Sequence, residues 1–335
     1  MRGWHRHAAW LLAVLTGCGG STPSSVAVSD PWAEMLAVAQ SEQRDCLIRL
    51  SQQPILRFRG ESHRRRGFDT LVANGAAFGV EAFDVELVDA VGEGHEPGLP
   101  RIPQPARGVV LPIPVGGWVG DGPPTIAFEP VLPVNLLVDA AGLPFATIEC
   151  DGEVADTELR ERIERARACR RSRDEAFAAA AATTGKERIA ALQRGLQALD
   201  RWLVVRCYTA QLADLVASDD AAALEYARPL LREHEVLRAC LPLRELSEEV
   251  ATIDPRRLRR QLDDVVGKFP DLPEVAALAH CMQGSADLRR ALDTSERDRI
   301  VERVRDAFES SEVEVPWIRQ VAEVWIVQAS HWQPR

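Results

Sequence analysis

The sequence predicts a fold in two parts, a mixed α/β region followed by an all-α region. Its 335 residues correspond to about two average domains. The composition changes near residue 150: eleven of the 21 prolines lie between Pro97 and Pro144, whereas the chain from Thr157 onward is rich in alanine, leucine, arginine and glutamate. We therefore expect an α/β domain over residues 31–155 and a helical domain over residues 156–335.

The first domain begins with alternating helix and strand signals. Asp30-Pro31 predicts a helix start, because aspartate caps helices well and proline is tolerated in the first turn. Short apolar runs predict strands. The further expected elements are strands over 46–50, 55–58, 80–88 and 125–128 and a helix over 68–73.

The end of this domain contains a hairpin signal and an unusual insertion. Residues 134–138 and 145–149 predict two strands joined by a turn over 139–142, in which Gly142 supplies a position where positive φ is tolerated. Residues 92–124 form a long insertion rich in proline and glycine. A structureless loop of this length is uncommon in a compact domain, so the insertion is either functional or partly disordered.

The second domain is predicted to be helical throughout. Residues 156–182 predict a long helix with favourable i,i+4 ion pairs such as Glu158 with Arg162, and Gly185 ends it. Short helices joined by tight turns are typical of an α-hairpin array of the tetratricopeptide type, although no regular 34-residue repeat is present. The further predicted helices span 186–200, 201–217, 220–240, 255–267, 273–282, 295–310 and 316–330.

The N-terminus predicts export. Arg2 and Arg6 precede an apolar run over 8–15, which is too short to cross a bilayer. The following Leu-Thr-Gly-Cys resembles a bacterial lipoprotein box, which implies that residues 1–17 are a signal peptide and that Cys18 is the lipidated mature N-terminus. The alternative is a cleaved signal that releases a soluble protein.

The remaining N-terminal residues and the charge limit the partners. Residues 18–30 predict a flexible polar tether, so the lipid would hold the chain at the periplasmic side of the bacterial cell envelope.

The chain has 40 basic and 50 acidic side chains, a formal net charge of −10. Nucleic-acid binding needs a concentrated basic face, and here the arginines alternate with acidic residues, so we expect no nucleic-acid partner.

The seven cysteines include no CxxC motif. An even number beyond Cys18 permits disulfides in an exported protein, but apolar neighbours favour buried thiols for most of them. The six others are Cys46, Cys150, Cys169, Cys207, Cys240 and Cys281.

The order of the predicted elements resembles that of the thioredoxin family. The densest match is residues 132–142, where a proline precedes a strand that is followed by Asp, two residues and Gly. This resemblance implies a thioredoxin-like domain over 31–155, with Pro133 at the position of the family's cis-proline beside the active site. Residues 170–190, with an Arg-Asp-x-Ala helix, resemble the helical extension of exported thioredoxin-fold proteins from planctomycete-like bacteria.

The sequence departs from this family where the chemistry should be. The family attacks disulfides through a CxxC thiolate just after the first central strand, but residues 47–149 contain no cysteine. If that strand is 55–59, the site falls at 60–67; if it is 46–50, the site falls near 51–53. We therefore expect a degenerate domain that does not exchange disulfides.

Two polar clusters are candidate sites. Glu61, Ser62, His63 and Arg64 could bind an anion or a peptide carboxylate at a helix N-terminus, and the alternative is a solvated turn. The run 280–282, His-Cys-Met, could be a soft-metal site, although core packing is favoured. No other metal spacing, phosphate-binding loop or nucleophile motif is present, so we predict no metal, no cofactor and no catalytic residue.

These observations predict a binding protein. We expect a lipid-anchored extracytoplasmic protein in which a redox-inactive thioredoxin-like domain and a helical domain bind protein or peptide. The alternative is a thiol-disulfide oxidoreductase, or another thiol-dependent redox enzyme, that uses Cys46 or a distant cysteine pair. A third interpretation is a structural component of the envelope.

Overall fold

The computed structural model describes residues 45–52, 80–87, 111–117, 122–129, 134–139, 141–148 and 156–334. Several sequence predictions lie outside these residues. They are the signal over 1–17, Cys18, the tether over 18–30, the helix opening at Asp30-Pro31, the strand over 55–58, the helix over 68–73, Pro133, and the cluster of Glu61, Ser62, His63 and Arg64.

The described residues contain six strands and nine helices. The strands are β1 (Asp45–Gln52), β2 (Val80–Leu87), β3 (Ile113–Gly117), β4 (Thr125–Glu129), β5 (Val134–Val138) and β6 (Pro144–Thr147). The helices are α1 (Asp156–Ala182), α2 (Gly185–Gln197), α3 (Arg201–Cys207), α4 (Thr209–Val216), α5 (Ala221–Glu249), α6 (Pro255–Lys268), α7 (Pro273–Leu288), α8 (Thr294–Glu309) and α9 (Pro316–His331).

Four strands form one sheet in the order β2-β1-β5-β6. Strands β1 and β2 are parallel, while β1–β5 and β5–β6 are antiparallel. The predicted strands over 46–50 and 80–88 and the predicted hairpin are thus confirmed. At the hairpin turn, Gly142 has a φ of 80°, and its N–H donates to the carbonyl oxygen of Asp139 at 2.9 Å. Glycine adopts this backbone conformation without steric cost.

The second sheet corrects the prediction for the insertion. Residues 113–117, inside the segment predicted as a loop, form β3 and pair antiparallel with β4. Ile126 and Phe128 of β4 are buried among residues of the helical region. The carbonyl oxygen of Pro124 accepts hydrogen bonds from Ser285 Oγ at 2.8 Å and Trp325 Nε1 at 3.0 Å. Contacts with distant helices therefore give this proline-rich segment a regular structure that its own sequence does not signal.

The C-terminal part is all-α, as predicted, although several helices differ from their predicted bounds; α7, for example, ends at Leu288 rather than at 282. Helix α1 has the predicted bounds, and the ion pair between Glu158 and Arg162 forms at 2.6 Å. The single helix predicted over 201–217 is wrong, because Tyr208 leaves helical geometry between α3 and α4, with φ −117° and ψ 33°. Helix α5 also runs nine residues beyond the predicted end at 240.

Two hydrophobic clusters form the core, and both combine strands with helices. The first packs Leu136 and Phe145 of the four-stranded sheet against α1 to α5. The second packs the β3–β4 hairpin against α5 to α9. Helix α5 contributes to both, with Leu237 in the first cluster and Val236 in the second. The strands and the helices therefore share their cores.

Helix α7 approaches α9 closely at a glycine. A Cβ atom at Gly284 would lie 2.6 Å from Cη2 of Trp325, a fully buried ring whose Nε1 is held by Pro124 and Ser285. We expect Gly284→Ala to lower the free energy of unfolding by about 1–3 kcal/mol, because the ring must move in a packed core.

A matched glycine on α6 provides the control. A Cβ at Gly267 would meet no atom within 4 Å. We expect Gly267→Ala to raise the free energy of unfolding by up to ~1 kcal/mol through helix propensity. Urea titrations followed by circular dichroism measure both variants. Equal effects would contradict the close packing at Gly284.

Candidate functional site

The sheet order identifies which predicted strand is central. Strand β1 contains Cys46 and lies between β2 and β5, with Cys46 in register with Glu81 and Val138. The predicted strand over 46–50 therefore lies in the interior of this sheet, while the alternative strand over 55–59 lies outside the described residues. The chain leaves this strand after Gln52 and enters a stretch without cysteine.

Three buried cysteines are unsuited to nucleophilic chemistry. Cys207, Cys240 and Cys281 are fully buried, as predicted for core thiols, and all are reduced, as is the partly exposed Cys169. Burial raises the pKa of Cys207 and of Cys281 to about 12 and raises the pKa of Cys240 further. Since the thiolate is the attacking species, these three groups are inert near neutral pH.

The His-Cys-Met run on α7 is divided between the core and the surface. Cys281 and Met282 are fully buried in the second cluster, which confirms the core-packing interpretation. His280 points outward, and partial burial together with nearby Arg303 lowers its pKa. Within the part of the chain that the structure describes, no group of three or more histidine, cysteine or acidic side chains is placed to hold a metal ion.

A buried ion pair joins the β5–β6 turn to the helices. Arg173 on α1 is 2% exposed, and its Nη2 donates to Asp139 Oδ2 at 2.5 Å. Its Nη1 donates to the hydroxyl oxygen of Tyr208 at 2.8 Å, and that hydroxyl donates to the carbonyl oxygen of Pro144 at 2.7 Å. We call Asp139, Arg173 and Tyr208 the arginine node.

The charged groups of the arginine node stabilise one another. Burial acts to lower the pKa of Arg173, but the charges and hydrogen bonds of Tyr208 and Asp139 raise it above its ordinary value. The second carboxylate oxygen of Asp139 accepts the N–H groups of Ala141 at 2.9 Å and Leu143 at 3.0 Å. Both oxygens are thus engaged, and the node holds the sheet against the helices.

A second buried carboxylate organises the start of the last helix. Glu274 on α7 is fully buried, and its Oε1 accepts the backbone N–H groups of Glu314 at 2.8 Å and Val315 at 3.1 Å. Its Oε2 accepts a hydrogen bond from Nη2 of Arg232 at 3.1 Å. We call Glu274, Arg232, Glu314 and Val315 the glutamate node. Sequence reasoning missed it, because an acidic residue after Pro273 resembles an ordinary first helical turn.

An open groove lies between the last two helices. The α8–α9 groove has a volume of about 400 Å³. Its apolar residues include Val327, which is 59% exposed although it lies on a helix with a buried face. The lining residues are Arg305, Phe308, Glu309, Ser311, Arg319, Glu323, Ile326 and Val327. Sequence reasoning missed this groove, because single exposed apolar residues such as Val327 are common and do not mark a site.

Comparison of the chain with protein-family models, with curated proteins and with solved structures gives no match. Among the described helices, none is both long and apolar enough to span a membrane. The α8–α9 groove is a candidate functional site formed by the described residues.

Proposed function

We propose that this chain is a lipid-anchored extracytoplasmic protein that binds protein or peptide, with a redox-inactive thioredoxin-like domain and a helical binding domain. The observation that carries the proposal is the position of β1. It lies between a parallel neighbour and an antiparallel hairpin, which is where a thioredoxin-like sheet has its first central strand. The chain that follows β1, residues 53–79, has no cysteine to act as a nucleophile.

The thiols elsewhere support the absence of dithiol exchange. Exchange needs an attacking thiolate and a nearby resolving thiol. Cys207, Cys240 and Cys281 have raised pKa values and lie in the core, and these three and Cys169 form no disulfide. Cys46 has strand residues on both sides rather than a helix N-terminus, which is the usual position of an activated thiol.

The helical part supports a binding role. Consecutive helices pack against one another from α6 to α9, as in arrays of helix pairs, and this packing supports the tetratricopeptide-type array that the sequence suggests. Such arrays bind partners on the surfaces between helices, and the α8–α9 groove is a surface of this kind. The leader sequence supports the anchor at Cys18 and the location at the periplasmic side of the cell envelope.

Insulin reduction tests this function against the redox alternative. We expect the full-length protein, purified in detergent with dithiothreitol as the electron source, to reduce insulin no faster than dithiothreitol alone, because the sequence has no CxxC motif and Cys207, Cys240 and Cys281 have raised pKa values. A thioredoxin serves as the positive control. Turnover clearly above background that is lost in Cys46→Ser would replace the binding protein with a thiol-dependent enzyme.

A further inference from the structure

We propose that the α8–α9 groove binds a segment of a partner protein in which an apolar side chain is flanked by arginine or lysine. This inference rests on the proposed binding function and adds the chemistry of the partner. It follows from the shape of the groove, from its apolar residues and from the pairing of its charged side chains.

The groove offers an apolar surface of the size of a small binding site. Phe308 of α8 is half-buried, Ile326 of α9 is 8% exposed, and Val327 beside it is 59% exposed. The volume of about 400 Å³ falls in the lower part of the range for ligand sites, roughly 300–1,000 Å³. Burying an apolar side chain of a partner here would remove the exposed part of Val327 from water.

The positive charges of the groove are already engaged. Arg305 forms an ion pair with Glu302, one turn earlier on α8. Arg319 donates from Nη2 to the carbonyl oxygen of Val313 at 2.8 Å, in the loop that precedes α9. Both guanidinium groups therefore already have a partner within the chain.

The negative charges of the groove are available. Glu309 on α8 and Glu323 on α9 are exposed, and within the described part of the chain neither carboxylate has a hydrogen-bond or ion partner. Of the four charged residues that line the groove, Arg305 and Arg319 have partners within the chain, whereas Glu309 and Glu323 have none among the described residues. An apolar surface between unpaired carboxylates complements a cationic amphipathic segment and repels an acidic one.

Fluorescence anisotropy with designed peptides tests the proposal. The probes are fluorescein-labelled peptides of about ten residues in which a central leucine or phenylalanine is flanked by arginine, lysine, serine or glutamate. We expect the full-length protein to bind the arginine- and lysine-flanked peptides at least ten-fold more tightly than the glutamate-flanked ones, with affinity that falls as salt increases.

Variants of the lining residues locate the binding. We expect the double variant Glu309→Gln with Glu323→Gln to lower the affinity for the basic peptides roughly five-fold, since each exposed ion pair contributes modestly. Val327→Ser should lower the affinity for every peptide, because it removes apolar contact area from the groove. The matched control is Glu187→Gln with Glu225→Gln, which removes the same charge from exposed residues of α2 and α5 outside the groove and should leave affinity unchanged.

The outcomes separate the partner chemistry from the general function. Equal affinity for basic, neutral and acidic peptides would overturn this inference. So would affinity for the basic peptides that neither groove variant changes. In both cases peptide binding itself would still stand. Self-association that the groove variants abolish also overturns it, because the occupant is then a second copy of the chain. Insulin reduction lost in Cys46→Ser would instead overturn the proposed function.

Discussion

Arg173→Met should lower the free energy of unfolding by about 3–5 kcal/mol. The methionine matches the length of the arginine stem but leaves the carboxylate of Asp139 without its cation and the hydroxyl of Tyr208 without a donor. A buried charge that loses its partner is costly because it has already given up its hydration. Since native domains are stable by only about 5–15 kcal/mol, this variant should be close to the limit of folding.

Two further variants establish that the effect comes from the uncompensated charge. Arg171→Met removes an exposed arginine from the same helix and should change stability by less than about 0.5 kcal/mol. Adding Asp139→Asn to Arg173→Met removes the buried charge and should recover part of the loss. Urea titrations followed by tryptophan fluorescence measure all three. Equal losses in Arg173→Met and Arg171→Met would show that the arginine node does not stabilise the fold.

Glu274→Leu should destabilise the protein by a similar amount, about 3–5 kcal/mol. The substitution keeps a side chain of similar size in the core but removes every acceptor of the glutamate node. The N–H groups of Glu314 and Val315, just before and at the start of α9, would then lose their acceptor, and the guanidinium of Arg232 would keep its ion pair with Glu314 at 3.4 Å but lose Glu274. The matched control is Glu312→Leu, an exposed carboxylate in the loop before α9, which we expect to be nearly neutral.

The same residue predicts a dependence on pH. Burial acts to raise the pKa of Glu274, but the hydrogen bonds from Arg232 and from backbone N–H groups lower it below its ordinary value of 4.5. A carboxyl group whose pKa is lowered in the folded state contributes stability that is present above the unfolded pKa and is lost as the pH falls through the folded pKa. The stability difference between the wild type and Glu274→Leu should therefore be full at pH 7 and shrink below about pH 4.5. A difference that stays constant between pH 7 and pH 3 would show that the carboxylate is not held as an anion.

The α8–α9 groove could not be found from the sequence, whereas its walls could. Both helices were predicted within one residue of their observed starts and ends, since each has a periodic apolar face and a clear start signal. The groove arises only when α8 packs against α9 and leaves Phe308 and Val327 partly uncovered. The surface cluster that the sequence singled out, Glu61 to Arg64, lies outside the residues that the structure describes.

The sequence by itself determined the features that depend on neighbours along the chain. Helix α1 begins and ends where its composition and Gly185 indicate, and the β5–β6 hairpin forms around the turn from Asp139 to Gly142. Caps, turns and apolar periodicity act within one or two turns of backbone, so a short window of sequence contains them.

Only the tertiary structure decided the contacts between distant residues. Asp139 and Arg173 are 34 residues apart, and Glu274 and Val315 are 41 residues apart. The β3–β4 pair is likewise packed against distant helices, and the hydroxyl of Tyr208, at the break between α3 and α4, bonds with Arg173 of α1 and Pro144 of β6. The physical reason is that a buried charge or a proline-rich strand is stable only when a partner from elsewhere in the chain satisfies it. The packing of the whole molecule, rather than any local pattern, selects that partner.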